Sequence, residues 1–196
     1  MKRVIKISVA ILIFAFIIAP GCKNTSKQEK VATPVLTGDQ LVQRGEYLVE
    51  VMGCNDCHSP KQNGPQGPVV IPELMLSGYP ADRPYQKPDP GVIKQGWVLL
   101  NEDFTSGAGP WGVSFAANLT SDQTGIGNWA EDNFKRALKE GRFKGLEGTR
   151  MLLPPMPWVN FKNITDEDVS AIFAYLKSTN PVKNVVPEPI PPEGSM

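Results

Sequence analysis

The only histidine of this 196-residue chain, His58, stands directly behind two cysteines in the pentapeptide CNDCH, residues 54–58. Three chemistries compete for that arrangement. A redox dithiol places its cysteines at a helix N-terminus in a βαβ setting, where the helix dipole lowers the thiol pKa. Here a helical period precedes the pair and no βαβ pattern exists. A structural zinc site needs about four ligands. The chain has three cysteines and one histidine in all, so zinc would need distant carboxylates. The third chemistry is covalent haem, with thioethers from Cys54 and Cys57 and with His58 as an iron ligand. Cys-x-x-Cys-His is the attachment signature for it, and this reading needs nothing the chain lacks.

A single histidine excludes bis-histidine ligation within one chain, which leaves methionine as the natural sixth ligand. Six methionines are present. Met1 and Met196 lie at the ends, and Met52 sits in the helix leading into the motif, too close to reach the far haem face. Met75, Met151 and Met156 remain. Met156 lies in LLPPMPWVNF, where Pro154, Pro155 and Pro157 stiffen the backbone and remove N–H donors. Trp158 and Phe161 supply apolar cover that keeps water off the iron. Met156 is therefore the preferred ligand and Met151 its main rival; loop packing is the ordinary role of a methionine.

Nineteen prolines and eighteen glycines imply many loops and argue against a tightly wound α/β enzyme. With 41% hydrophobic residues the core is modest. A haem would give the long connection between the first two helices an apolar face to fold against, so the apoprotein should be poorly folded. Three stretches carry a helical period. The first runs from about Asp39, a plausible N-cap, to Cys54, with Leu41, Leu48, Val51 and Met52 near one face. The second is 128–141, with Asn128 as cap, Phe134, Ala137 and Leu138 as stripe, and Gly141 as stop. The third is 165–178, where Thr165 and Asp168 nearly form a capping box and Val169, Ile172, Phe173 and Leu176 make the apolar face. Residues 92–100, VIKQGWVLL, are expected to pair briefly as strand.

The chain opens with Lys2, Arg3 and Lys6, then an apolar run over residues 9–18, then Ala19, Pro20, Gly21 and Cys22. Basic start, short apolar middle and small residues at the cut are the layout of an export signal. The run is short for a membrane span. Small residues before a cysteine resemble a bacterial lipoprotein box, with Ala19 where Leu is usual, which makes Cys22 the expected lipidation site. Acyl chains there would tether the protein to a membrane. Loss of residues 1–21 removes three basic residues and leaves a net charge of −3, which does not point to nucleic acid. Residues 22–37 read as a flexible tether, and 183–196, rich in proline, as an extended tail.

These residues together resemble class I c-type cytochromes, and more narrowly the monohaem cytochrome c domains that accompany periplasmic alcohol and sugar dehydrogenases. RGEYLVEVMGCNDCHSP (44–60) is similar to the family's entry helix and haem motif. FAANLTSDQTGIGNWAEDNFKRALKEG (115–141) resembles its central segment and following helix. LLPPMPW and TDEDVSAIFAYLKSTNPV resemble its methionine loop and last helix. The resemblance implies a mainly α cytochrome c fold over 38–182, wrapped around one covalent haem c with long Gly/Pro-rich loops. It implies His58 and Met156 as axial ligands, and a crossing of the first and last helices near Gly45 and Tyr175, with Tyr47 nearby. A backbone carbonyl would orient His58, with Pro65 and Pro68 as candidates, and Trp111, Asn118, Trp129 and Arg142 are candidate propionate donors. Residues 74–114 depart from the pattern and have no assigned chemical role. The implied function is one-electron transfer rather than catalysis, with no small-molecule substrate. Expected partners are a dehydrogenase, an oxidase or another cytochrome, at the periplasmic face of a bacterial membrane. The competing readings are a haem enzyme or gas sensor with a displaceable sixth ligand, and a fixed relay subunit of a dehydrogenase complex.

Overall fold

A computed structural model describes residues 36–192; the signal, Cys22, most of the tether and the last four residues lie outside them. Two long helices cross at the centre. Helix α1 spans Asp39–Val51 and helix α5 spans Asp166–Ser178. Gly45 sits at the crossing: a Cβ there would lie 1.9 Å from the Ala171 carbonyl oxygen and 2.7 Å from the Tyr175 Cβ. Only glycine lets the two backbones approach so closely. Arg44 on α1 pairs with Asp168 on α5 at 3.0 Å. Tyr47 does not bury itself in this contact; it is exposed, with the Arg44 guanidinium over its ring.

The core gathers on one side of that crossing. Leu48 and Val49 from α1 and Val169, Ala171, Ile172 and Leu176 from α5 meet Leu76, Ile126, Phe134 and Leu138. The apolar face of α1 is thus turned from its expected position, since Val49 is buried and Val51 is exposed. Helix α4, Glu131–Glu140, packs its Phe134, Ala137 and Leu138 stripe inward and stops at Gly141 in the left-handed region, φ 67°. Lys135 and Lys139 on α4 both reach Asp166 at the start of α5, at 2.5 and 2.7 Å.

The caps differ in part from expectation. Asp39 is the first residue of α1, after Gly38, and caps nothing; α4 is preceded by Ala130, not capped by Asn128. At α5 the Thr165 hydroxyl does accept from the Asp168 N–H, 3.1 Å. The Asp168 carboxylate turns to Arg44 instead of closing a capping box.

Helix and sheet are mixed, with helix the larger share: among the described residues 36% are helical and 13% are strand. After the short helix α2, Cys54–His58, strands β1 (Lys61–Gly64) and β2 (Gly67–Val70) form an antiparallel hairpin. The stretch 92–100 is not one strand. Helix α3, Pro90–Lys94, takes its first half, and only Leu99–Leu100 pairs, as β3. Strands β4 (Ser106–Gly109) and β5 (Gly112–Phe115) complete an antiparallel sheet in the order β3-β4-β5. The proline-rich end crosses this sheet, with Ile190 and Val113 exchanging two backbone hydrogen bonds at 2.8 and 2.9 Å. Strands this short and this poor in alternating apolar residues leave little periodic signal.

The buried carboxylate of Asp103 ties the sheet to the haem-motif end. It pairs with Arg83 at 2.8 Å and accepts from Thr105 Oγ1 at 2.6 Å and Asn101 Nδ2 at 2.7 Å. Lys61 Nζ donates to the carbonyls of Asp56 (2.6 Å), Ser59 (3.1 Å) and Asp103 (2.9 Å). The first two of those bonds satisfy carbonyls at the end of α2.

Candidate functional site

Gly53, at φ 70°, breaks the chain between α1 and α2. A helix predicted to run straight into Cys54 therefore ends before it, and the pentapeptide forms a separate helical turn. Within that turn Cys54 and Cys57 are three residues apart and fall on one face. Both are half-buried and neither is in a disulfide. Burial raises the Cys54 thiol to about 11, and it raises Cys57 as well. A redox dithiol or a cysteine nucleophile requires the opposite shift. Among the described residues no group of three or more His, Cys, Asp or Glu side chains comes together to hold a metal.

His58 closes the turn. Its Nδ1 lies 2.7 Å from the Ala117 carbonyl oxygen, so Nδ1–H donates and Nε2 is left with its lone pair. Burial lowers the imidazole pKa below its ordinary value, against the opposing pull of the Ala117 bond. The ring is held neutral, in one tautomer and one orientation, which is the form that ligates metal. The orienting carbonyl belongs to Ala117, not to Pro65 or Pro68. Pro65 lies in the turn of the β1–β2 hairpin and Pro68 stands in β2 opposite Asn63. The same end of α2 is fixed twice more: Gly78 N–H donates to the His58 carbonyl at 2.8 Å, and Leu76 N–H donates to Ser59 Oγ at 2.9 Å.

The methionines separate by burial. Met75 and Met151 are exposed, and Met151 is taken up in a backbone bridge with Arg142. Met156 is half-buried and packs against the core cluster that Cys54, Met52, Trp129 and Phe161 also border. Its loop carries a cis Pro154–Pro155 peptide, and Met156 N–H donates to the Leu153 carbonyl at 3.3 Å. Trp158 lies against Gly141, where a Cβ would come within 2.4 Å of the indole.

The four candidate propionate donors divide. The Asn118 side chain is consumed internally, donating to the Val182 carbonyl at 2.8 Å and accepting from Thr120 at 2.7 Å. Arg142 is exposed, and its nearest acceptor is the Thr149 carbonyl at 3.4 Å. Trp129 is half-buried against the core. Trp111 is different: its Nε1 is the one buried side-chain nitrogen or oxygen among the described residues with no hydrogen-bond partner. Its ring folds back over Gly109, where a Cβ would lie 2.4 Å from the indole. A buried indole N–H normally finds an acceptor, and leaving one unpaired costs about 1–3 kcal/mol. The residues present are of the kinds a haem group needs: two unpaired thiols on one face, a tautomer-fixed imidazole, a half-buried thioether and an unpaired buried indole N–H. The Ala117 carbonyl was not visible in the sequence, because a main-chain acceptor carries no residue signature.

No family model matches the chain. It is 42% identical over 79 residues, 40% of its length, to a nicotinate dehydrogenase subunit of Pseudomonas putida. It is 30% identical over 138 residues, 70% of its length, to the gluconate 2-dehydrogenase cytochrome c subunit of Pantoea cypripedii. It is also 30% identical over 159 residues, 80% of its length, to the cytochrome c subunit of a quinone-type alcohol dehydrogenase of Gluconacetobacter polyoxogenes. The chain spans only 6%, 23% and 28% of these three relatives.

Proposed function

We propose that this chain is a c-type cytochrome that carries single electrons, holding one haem c through thioethers from Cys54 and Cys57. The observation that carries the reading is the Cys-x-x-Cys-His turn with His58 Nδ1 tied to a carbonyl and Nε2 left free. Relatives that match most of this chain are named as cytochrome c subunits rather than catalytic subunits, which supports a carrier and not an enzyme. Bound haem c supplies reversible one-electron exchange at its iron. The chain's own residues would do the remaining work: His58 and Met156 would hold the iron, Phe161 and Trp158 would shield the Met156 thioether from water, and the unpaired Trp111 N–H would donate to a haem carboxylate.

With both His58 and Met156 bound to it the iron would have no open site for substrate, and the protein would offer partners a haem edge instead. Encounters of this kind bury little surface. The partners fitting this reading are a dehydrogenase, an oxidase or another cytochrome. A lipid on Cys22 would hold the domain at the periplasmic face of a bacterial membrane and raise its effective concentration near them. Among the described residues no helix is long and apolar enough to cross a membrane.

The direct test is covalent attachment. Protein matured in a host with c-type haem assembly should retain the mass of one haem after denaturation and acid-acetone extraction. Cys54→Ala combined with Cys57→Ala should release it. Complete extraction of haem from the wild type would refute the assignment.

A further inference from the structure

Residues 74–114, the long departure from the resemblance, build most of the sheet β3-β4-β5, and that sheet meets the methionine loop. Gly107 on β4 and Ser114 on β5 stand directly opposite each other in the register, and both are buried. Ser114 Oγ donates to the Pro154 carbonyl at 2.5 Å. A Cβ on Gly107 would lie 2.8 Å from Pro155 Cδ and 3.2 Å from its Cγ. One cross-strand pair therefore supplies a hydrogen bond to one proline and standing room for the next, immediately before Met156.

The loop has few anchors of its own. Pro154, Pro155 and Pro157 have no N–H to donate, and Met156 N–H is spent within the loop on Leu153. The Ser114 hydroxyl is thus a tie from outside the loop to its backbone. Three residues after Ser114, the Ala117 carbonyl accepts from His58 at 2.7 Å. The stretch between is itself held: Ala116 N–H donates to the Thr105 carbonyl at 2.8 Å, and the Ala116 carbonyl accepts from Tyr79 N–H at 3.0 Å. One short, immobilised stretch is bonded to both the histidine and the methionine loop.

We infer that Ser114 and Gly107 are positioning residues for the Met156 thioether, and that 114–117 acts as a brace that fixes the two axial side chains relative to each other. This rests on Met156 being the sixth ligand. A thioether is a weak ligand, so its occupancy depends on how closely the backbone holds it in place. The inserted sheet supplies that constraint.

The test uses haem-loaded protein and two spectroscopic readouts: the methionine-sulfur-to-iron charge-transfer band of the oxidised form, and carbon monoxide binding by the reduced form. Ser114→Ala should weaken the band and raise the carbon monoxide-reactive fraction about fivefold or more, the scale set by one lost hydrogen bond, and Gly107→Ala, which crowds Pro155, should move both readouts in the same direction. Covalent haem content and circular dichroism should stay as in the wild type. Ser114→Thr, which keeps the hydroxyl, should restore both readouts. Trp97→Ala, an exposed position in the same segment, should change neither. If Ser114→Ala does not accumulate, Gly107→Ala is judged on the same readouts. Wild-type band and closure in both Ser114→Ala and Gly107→Ala would overturn the brace while leaving Met156 as ligand. A wild type that itself lacks the band and binds carbon monoxide would remove the ligand assignment first.

Discussion

Ala117 decides what His58 can do, although its own side chain contributes nothing. By accepting a hydrogen bond from Nδ1–H it leaves Nε2 as the only nitrogen able to bind a metal. No property of the residue type separates this carbonyl from those of Pro65 or Pro68, so only the fold identifies it. Met156 stands out in the sequence for the opposite reason: flanking prolines are side-chain features, and Met75 and Met151 are exposed. Asp103 is a buried carboxylate paired with Arg83. Burial pushes its carboxyl pKa up, but bonds from Thr105 and Arg83 outweigh that and hold it below its ordinary value. A depressed folded-state pKa gives stability that is present above the unfolded value, about 4, and lost as pH falls through the folded one. Urea midpoints should therefore fall below about pH 4. Asp103→Asn should cost about 2 kcal/mol at neutral pH, since it removes the charge that strengthens the hydrogen bond from Arg83, and should flatten part of that acid slope.

At the scale of elements, the crossing of α1 and α5 carries the architecture. It was implied by the resemblance to c-type cytochromes, and the missing side chain of Gly45 is what permits it. Gly45→Val would drive a side chain into the Ala171 carbonyl, and thermal unfolding should show a loss of about 3 kcal/mol or a failure to accumulate. The sheet was not readable. Strand β4 is Ser-Gly-Ala-Gly and β3 has two residues, so neither shows alternation, and Gly107 is selected by Pro155 rather than by strand propensity. Helix α3 is a single turn begun by the Asp89 side chain accepting from Gly91 N–H at 2.7 Å, inside a stretch whose apolar residues suggest a strand.

At the scale of the molecule, segments distant in sequence converge on the site. The chain end is the clearest case. Asn184 donates to the carbonyls of Ser77 (2.7 Å) and Tyr79 (2.9 Å) and accepts from Ala81 N–H at 2.9 Å. It thereby pins the chain segment that leads away from the haem motif. Asn184→Ala should cost about 2 kcal/mol in thermal unfolding, the loss of several partly buried hydrogen bonds. Electron transfer without catalysis requires a closed iron site. The most direct measurement of closure adds carbon monoxide to the reduced, haem-loaded wild type and to Met156→Ala, and reads the visible spectrum. A closed site gives an unchanged wild-type spectrum and prompt binding by Met156→Ala. Prompt binding by the wild type would contradict closure, and would point instead to a haem enzyme or gas sensor with a displaceable sixth ligand.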